Sequence, residues 1–389
     1  MRRERIEIDL VYIKLTGLLG GTYYVQNIIS ALNILEDEEQ PLLNIYCLNE
    51  SDFSELSSNT GYKYLIYHHF GIKETKRDLV NKVFNYYYYK ASHQLEISDR
   101  NVFIYPLINP SRLRNVEKML AWIPDFQCNY LPSYFSFKVK LSYYRMIRKY
   151  YKNHVPVVLS SFDALNDYKK FYPKANNKTY VLHFAVTHPD YSKQNIEDIK
   201  IKYGIAKPYL FCANQFWKHK NHLFLFRVIK RLIDSGKDIQ LICSGALKEP
   251  RNPEYILEIK KFIKINKLED RIKLLGFIDR AEQICLMKHS WAMIQPSLFE
   301  GWSSVVEDAK ALNKFIFLTD LKVNIEQSPL NVCYFNGHDE DDLLKKLQTI
   351  EPTSLDEHYI SHIKRFAEDF MSIVYDFSKE SNIYSSIKH

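Results

Sequence analysis

The chain has 389 residues, of which 46% are hydrophobic and 25% charged, a composition that excludes an intrinsically disordered protein. The formal net charge of +7 is compatible with an anionic ligand, an anionic membrane or nucleic acid, and alone it selects none of them. Because no apolar run reaches about 18 residues, no transmembrane helix is predicted.

Short apolar runs alternate with helical patterns, which favours βα units and parallel sheets. In the first half the predicted helices are Thr22–Asn33 and the basic, aromatic segment Lys138–Asn153. The strands predicted there are Ile6–Lys14, Leu42–Asn49, Val102–Tyr105, Met119–Trp122, Val155–Ser160 and Thr179–His183.

The second half is a regular alternating series. Its predicted strands are Tyr209–Ala213, Ile239–Ser244, Ile272–Leu275, Trp291–Gln295, Lys314–Thr319 and Val332–Phe335. The helices predicted between them are His222–Ser235, Glu254–Asn266, Arg280–His289, Ser304–Leu312 and Asp341–Ile350.

The polar stretch His188–Lys207 separates the two series and is interpreted as a linker. We predict an α/β fold with one Rossmann-like βαβ domain over residues 1–190 and a second over residues 191–353. A helical segment over residues 354–389 is expected to pack back on the first domain. Ligands of open α/β sheets bind beyond the carboxyl ends of the strands, so two such domains are expected to face each other across a deep cleft.

The segment Pro296–Glu307 (PSLFEGWSSVVE) carries the strongest functional signal. A predicted strand ends at Gln295, a loop carries Glu300, and a helix begins near Ser303 or Ser304. The free N–H groups and the positive dipole end of a helix N-terminus suit a pyrophosphate.

Glu307 would lie in the first turn of that helix, within reach of ribose hydroxyls. An alternative needs no ligand: Ser304 and Glu307 match the spacing of a capping box. Both interpretations can hold for one glutamate.

This segment resembles the donor-site motif of retaining family 4 glycosyltransferases of the GT-B type, in a bacterial-type subgroup with an EGWSSVVEDAK motif. The resemblance implies that Glu300 lies near the donor sugar and phosphates, and that Glu307 binds the ribose. Between them lie the donor-loop residues Gly301, Trp302, Ser303 and Ser304. The usual motif has seven residues between the glutamates, whereas this chain has six.

A second segment, Ala213–His222 (ANQFWKHKNH), follows the first strand of the second domain. The family has an arginine and a lysine here that hold the donor diphosphate. Lys220 takes the lysine position and the neutral Gln215 takes the arginine position, so Lys218 is the alternative source of the missing charge. A solvated basic loop is the other interpretation of both lysines.

Glycines at predicted strand ends complete the family pattern. Gly245 and the pair Gly276–Phe277 occupy the positions that approach the donor nucleotide, and Gly20 and Gly21 resemble the first glycine loop. Each is also compatible with an ordinary tight turn.

Asp125 follows another predicted strand, within Ala121–Pro132 (AWIPDFQCNYLP). The resemblance implies a catalytic or sugar-orienting side chain in this loop. Pro-Asp is also a common turn sequence, and both interpretations remain open.

No metal site is predicted. Asp339-Glu340-Asp341 mimics the D-x-D metal motif but lies at a predicted helix start, where acids are favoured. His219 and His222 have the spacing of a metal pair without an evident third ligand. No cofactor is expected other than a nucleotide-diphosphate sugar as co-substrate.

Six cysteines without a C-x-x-C pair indicate buried, reduced thiols and a cytoplasmic location. The basic stretch 138–152 is interpreted as a surface helix, with peripheral contact to an anionic membrane, at its cytoplasmic face, as the second interpretation. No motif predicts nucleic-acid binding.

Together these features predict a retaining glycosyltransferase that moves a sugar from a nucleotide-diphosphate donor to a hydroxyl acceptor. The acceptor is expected to be a glycan or a lipid-linked saccharide in surface polysaccharide synthesis. Alternatives are a nucleotide-sugar epimerase or a glycogen-type transferase on the same fold, or a non-catalytic nucleotide-sugar-binding or membrane-surface protein.

Overall fold

A computed structural model describes residues 5–12, 19–69, 71–72, 95–96, 101–105, 113–114, 118–249 and 251–385. The chain forms two compact units. The first consists of residues 1–129, 136–187 and 361–389, and the second of residues 130–135 and 188–360.

The first unit is built on a parallel sheet. Its strands are β1 Glu7–Tyr12, β2 Leu42–Cys47, β3 Leu65–His69, β4 Gly71–Ile72, β5 Leu95–Glu96, β6 Asn101–Tyr105, β7 Leu113–Arg114, β8 Lys118–Ile123, β9 Val157–Leu159 and β10 Thr179–Val181. Seven of them pair in parallel in the order β3–β2–β1–β6–β8–β9–β10. The short strands β4, β5 and β7 form a separate small sheet.

The second unit has its own parallel sheet. Its strands are β11 Tyr209–Cys212, β12 Gln240–Ser244, β13 Ile272–Gly276, β14 Ala292–Gln295, β15 Ile316–Thr319 and β16 Val332–Phe335. They lie in the order β13–β12–β11–β14–β15–β16, the Rossmann arrangement in which the direction of winding reverses between the first and fourth strands. Both faces are buried, because Leu210 and Cys212 belong to one core cluster while Tyr209 and Phe211 belong to the other.

Helices connect most of the strands. In chain order they are α1 Leu19–Ala31, α2 Glu50–Thr60, α3 Gln127–Tyr130, α4 Phe137–Lys152, α5 Phe162–Phe171, α6 Ile196–Tyr203, α7 His222–Asp234, α8 Glu254–Ile265, α9 Arg280–His289, α10 Ser304–Ala311, α11 Lys322–Gln327, α12 Glu340–Thr349 and α13 Ile360–Ser385. None of the helices in the described part of the chain is long and apolar enough to span a membrane.

The C-terminal helix α13 packs within the first unit. Phe366 and Phe370 are buried on its inner face. Asp376 accepts a hydrogen bond from the Tyr180 hydroxyl and forms an ion pair with Lys178, so the helix is fixed beside the edge strand β10.

The predicted α/β fold with parallel sheets is confirmed. Several elements were not predicted from the sequence, among them the strand β3, the helix α2 and the helix α6, which lies within the stretch His188–Lys207 that was interpreted as a linker. The strand β3 lies at a sheet edge and is only half-buried, so it lacks a continuous apolar run. The helix α2 has few apolar residues and is defined by its caps: Asn49 accepts from the Asp52 N–H, and Gly61 ends it in the left-handed conformation.

The position of the first glycine loop differs from the prediction. Gly20 and Gly21 lie in the first turn of α1, which begins at Leu19, and not in a loop before the helix. Gly17 and the end of the predicted strand at residues 13–14 lie outside the described residues.

The six cysteines lie in described segments and all are free thiols. Four of them are buried: Cys47, Cys212, Cys243 and Cys285. They are buried because they lie in the strands β2, β11 and β12 and in the helix α9.

Candidate active site

The candidate site lies at the carboxyl edge of the sheet in the second unit. The segments that follow β11, β12, β13 and β14 all start at this edge, because parallel strands end on the same side. Since β11 and β14 are neighbours at the point of reversed winding, the loops after Cys212 and after Gln295 are brought side by side.

An ion pair joins these two loops. Lys220 Nζ lies 2.6 Å from Glu300 Oε1, and both side chains are largely shielded from solvent. A lysine ammonium has three N–H donors, so one bond to Glu300 leaves donors for an anionic ligand. A backbone hydrogen bond of 2.8 Å from Leu298 N–H to the His219 carbonyl ties the loops a second time.

The side chain of Gln295 links Glu300 to the start of the next helix. Its Nε2 donates to Glu300 Oε1 at 2.9 Å and to Ser303 Oγ at 2.7 Å. Gln295 is fully buried at the end of β14. Its two hydrogen bonds therefore fix Glu300 and Ser303 relative to this strand.

The capping box predicted for α10 is wrong. The N-cap is Ser303, whose Oγ accepts from the Val306 N–H, and not Ser304. Glu307 does not accept a hydrogen bond from the Ser303 N–H, because Gln327 does so instead. Gln327 Oε1 accepts from the Ser303 N–H at 2.9 Å, and Gln327 Nε2 donates to the Ser303 carbonyl at 3.0 Å.

Two backbone donors at this helix start remain open. Among the described residues, the N–H groups of Ser304 and Val305 have no hydrogen-bond acceptor, while those of Ser303 and Val306 do. Ser304 is exposed. Unsatisfied first-turn N–H groups and the positive end of the helix dipole favour an anion at this position.

Glu307 is held by a buried polar network and is only 1% exposed. Its Oε1 accepts from Gln327 Nε2 at 2.9 Å and lies 3.4 Å from Lys310 Nζ. Its Oε2 accepts from the Tyr359 hydroxyl at 2.7 Å. The carboxylate that the sequence predicts as a ribose ligand is thus already bonded at both oxygens, through three partners.

The neighbouring acid Asp308 is also buried and paired. It bonds to the Arg280 guanidinium and to His188 Nε2. Burial alone would raise the pKa of this carboxyl, but the charge of Arg280 and the bond from His188 outweigh it and lower the pKa below its usual value. Asp308 is therefore ionised at neutral pH.

The loops after β11 and β12 touch through backbone and amide groups. Gln215 Oε1 accepts from the Ala246 N–H at 3.0 Å. A Cβ built on Gly245 would lie 2.2 Å from the Asn214 carbonyl oxygen, and its φ of +148° is one that other residues rarely adopt. Glycine at position 245 is therefore explained by contact with Asn214.

Lys218 lies on the outer part of this region and is exposed. Its backbone N–H donates to the Glu249 carboxylate, which is buried and also accepts from the Arg251 guanidinium. The Arg251 guanidinium lies 4.8 Å from the Trp217 ring, so the loop that carries both lysines is braced by a cation–π contact.

The remaining predicted donor residues differ in exposure. Gly276 ends β13 and the next residue, Phe277, is 63% exposed. Gly301 and Trp302 are partly buried within the loop after β14.

Asp125, in the first unit, forms the predicted turn. Its Oδ1 accepts from the N–H of Gln127, the first residue of the short helix α3, at 2.9 Å, and its carbonyl accepts from the Tyr143 hydroxyl. The side chain thus has a structural partner, and its predicted catalytic role stays a prediction.

The other acidic and histidine motifs have structural positions. Asp339 caps α12 by accepting from the Asp341 and Asp342 N–H groups, as an acid at a helix start does. His222 stacks on Phe216 with centroids 4.4 Å apart, and His219 is buried. Within the described ranges, no cluster of three or more His, Cys, Asp or Glu side chains could hold a metal ion.

Sequence reasoning missed three residues of this site: Gln295, Gln327 and Tyr359. Gln295 was identified only as the end of a strand. A signal existed for it, since a glutamine ending an otherwise apolar buried strand needs a hydrogen-bond partner. Gln327 and Tyr359 lie 20 and 52 residues beyond Glu307, and no local pattern connects them to it.

The chain is similar to known glycosyltransferases. Residues 195–360 match the model of the family described as Glycosyl transferases group 1. The O-antigen chain mannosyltransferase RfbU of Salmonella typhimurium is 22% identical over 231 residues. The match covers 59% of this chain and spans 60% of the length of that curated relative.

Two solved structures resemble the whole chain. A glycosyltransferase from Rickettsia africae has 16% identity and a TM-score of 0.59, with 98% of each chain covered. HepE from Anabaena, in complex with UDP and glucose, has 15% identity and a TM-score of 0.60, with 97% of this chain and 100% of that one covered.

The chain has the GT-B fold. The Rossmann strand order of the second unit and the likeness to these structures agree on it. The family match covers residues 195–360, which lie within the second unit.

The contact at Gly245 gives a first prediction. Gly245→Ala should lower the free energy of unfolding by about 3 kcal/mol, because the new methyl group clashes with the Asn214 carbonyl and the φ is strained. Urea denaturation checks this. Gly20→Ala is the matched control, since nothing lies within 4 Å of a Cβ there and no change beyond about 1 kcal/mol is expected. Equal stability of the two variants would contradict the contact.

The buried His219 gives a second prediction. Burial, with the charges of Lys220 and Arg251, lowers the pKa of His219 well below 6.5. Below pH 6.5 the unfolded chain gains a proton that the folded chain does not, so stability falls by up to about 1.4 kcal/mol per pH unit through this one group.

The measurement is the free energy of unfolding at pH 7.5, 6.5 and 5.5 for wild type and His219→Gln. The variant should lose less stability on acidification. His338→Gln, at an exposed position, should keep the wild-type slope. A His219→Gln slope equal to that of wild type would refute the assignment.

Proposed function

We propose that this protein is a retaining glycosyltransferase of the family 4 type that transfers a sugar from a nucleotide-diphosphate sugar to a hydroxyl acceptor. The donor would bind at the carboxyl edge of the sheet in the second unit. The diphosphate would lie between the start of α10 and Lys220, and the ribose would lie near Glu307.

One observation carries this proposal. Two open backbone N–H groups at Ser304 and Val305 and the cationic Lys220 belong to the two loops that β11 and β14 bring together. Helix-start amides and a lysine are complementary to the negative oxygens of a diphosphate. In the Rossmann arrangement this point of reversed winding is the usual ligand position.

The proposed chemistry is a front-face substitution. The bond from the anomeric carbon to the diphosphate breaks while the acceptor oxygen attacks from the same side, and the departing phosphate takes the acceptor proton. Lys220 and the helix start would stabilise the charge that develops on the diphosphate. Glu300, paired with Lys220, would orient that lysine and border the donor sugar.

The nature of the acceptor is proposed from the relatives. The Salmonella relative is named as an O-antigen chain mannosyltransferase. We infer a glycan or lipid-linked saccharide acceptor for this chain, in the synthesis of a surface polysaccharide at the cytoplasmic face of a membrane.

The test is donor turnover. Purified protein is mixed with UDP- and GDP-sugars, with and without a crude glycolipid fraction, and free nucleotide and product are quantified. Release of UDP or GDP with label transferred to the acceptor is expected. Binding without release would refute an enzyme, and conversion of the donor sugar without release would identify an epimerase.

Lys220→Ala tests the phosphate contact. Loss of a charge-assisted bond to the diphosphate should weaken nucleoside diphosphate binding by about 2 kcal/mol, roughly thirtyfold, as measured by calorimetry. Lys230→Ala is the control, because it removes a lysine from an exposed ion pair with Asp234. Unchanged affinity of Lys220→Ala would exclude the proposed role.

The helix α4 supports a second part of the proposal, contact with an anionic membrane. Its 16 residues include six basic and no acidic side chains. Tyr143, Met146, Ile147 and Tyr150 are buried, whereas Phe137 is 74% and Tyr144 47% exposed. The helix therefore presents aromatic rings and positive charge together on its outer face, which suits the interfacial region of an anionic bilayer.

Vesicle binding checks this. A variant with Arg145, Arg148, Lys149 and Lys152 changed to glutamine should bind phosphatidylglycerol vesicles at least tenfold more weakly than wild type, since each such charge contributes about 1 kcal/mol. The matched control changes Lys260, Lys261, Lys264 and Lys267, all exposed, and should bind as wild type does. If both variants lose the same affinity for the vesicles, binding depends on overall net charge and not on α4.

A further inference from the structure

The helix α10 carries two consecutive buried acids, and each is bonded to a residue at which the chain passes between the two units. Besides the short segment 130–135, the second unit is one continuous stretch that the chain enters at His188 and leaves after Ile360. His188 Nε2 lies 2.9 Å from Asp308 Oδ1, and the Tyr359 hydroxyl donates to Glu307 Oε2 at 2.7 Å. The helix α10 is therefore bonded to residues at the start and at the end of this continuous stretch.

The contact of Tyr359 is specific. Tyr359 and Glu307 are both buried, and the hydroxyl donates to a carboxylate, which is the stronger class of hydrogen bond. Tyr359 also directly precedes α13, the helix that belongs to the first unit. The hydrogen bond thus connects Glu307 to the last residues of the second unit.

The hydrogen bonds described above do not use the whole acceptor capacity of the carboxylate of Glu307, which is 1% exposed. A carboxylate offers about four acceptor directions. Gln327 and Lys310 occupy two at Oε1, and Tyr359 occupies one at Oε2. One direction at Oε2 remains, on the same oxygen that Tyr359 fixes.

We propose that Tyr359 is a positioning residue for the donor, resting on the proposed function of Glu307. It holds the Glu307 carboxylate in one orientation, so that the remaining acceptor direction of Oε2 is available to a ribose hydroxyl. Through Tyr359 and His188, donor binding at α10 affects the start and the end of the stretch 188–360.

The first experiment is a double-mutant cycle on nucleoside diphosphate affinity. Calorimetry with UDP and GDP compares wild type, Tyr359→Phe, Glu307→Gln and the double variant. Tyr359→Phe should raise the Kd about tenfold, which is about 1.4 kcal/mol. The double variant should bind no more weakly than Glu307→Gln alone, because Tyr359 acts only through Glu307.

The matched control is Tyr209→Phe. Tyr209 is also buried and its hydroxyl donates to the Leu286 carbonyl at 2.8 Å, at the opposite end of β11 from the site. It should lower the melting temperature and leave the Kd unchanged. If Tyr359→Phe behaves in the same way, the residue is merely structural and the inference is wrong.

The second experiment is hydrogen exchange with and without saturating UDP or GDP. Amides of residues 185–192 and 355–362 should become protected in wild type. In Tyr359→Phe the protection should be lost at 355–362 and kept at 185–192. Protection at neither segment in wild type, or at both in the variant, would overturn the coupling.

These outcomes separate the inference from the proposed function. If Glu307→Gln binds UDP and GDP as tightly as wild type, the donor role of Glu307 itself fails. If Glu307→Gln binds weakly but Tyr359→Phe binds normally, or the two effects add, only the positioning role fails. Tyr359→Phe removes a single hydroxyl, so its result stands even where Glu307→Gln does not fold.

Discussion

The pairing of β11 with β14 is the constraint on which the candidate site depends. These two strands are far apart in the chain and adjacent in the sheet, so the loops after Cys212 and Gln295 start side by side. The Lys220–Glu300 ion pair and the bond from Leu298 to His219 are consequences of that adjacency. The meeting of these two loops thus comes from the strand order, which reverses its winding at this point.

A second constraint is the cost of burying charge. Glu307, Asp308 and Lys310 are consecutive or nearly so on one helix and are almost fully buried. Such groups are tolerated only when they are paired and hydrogen-bonded. Gln327 and Tyr359 supply partners from distant parts of the chain, so the position of α10 is specified by polar contacts as well as by packing.

Much of the fold could be predicted from the sequence because its determinants are local. Apolar runs such as Tyr209–Cys212 indicate strands, and the apolar spacing of α7 indicates a helix. The order of the four strand-end loops also placed Lys220 and Glu300 in one region. The helix α2 escaped prediction because its caps, and not an apolar face, define it.

The sequence by itself determined the two α/β series and the strand–loop–helix order around Pro296–Glu307, since each depends on neighbours in the chain. Only the tertiary structure decided what those residues contact. It made Ser303 and not Ser304 the cap, gave the place of the capping glutamate to Gln327, and bonded Glu307 to Tyr359. The physical reason is that a buried polar group takes whichever partner the packed fold brings within hydrogen-bond distance, and sequence spacing does not encode that proximity.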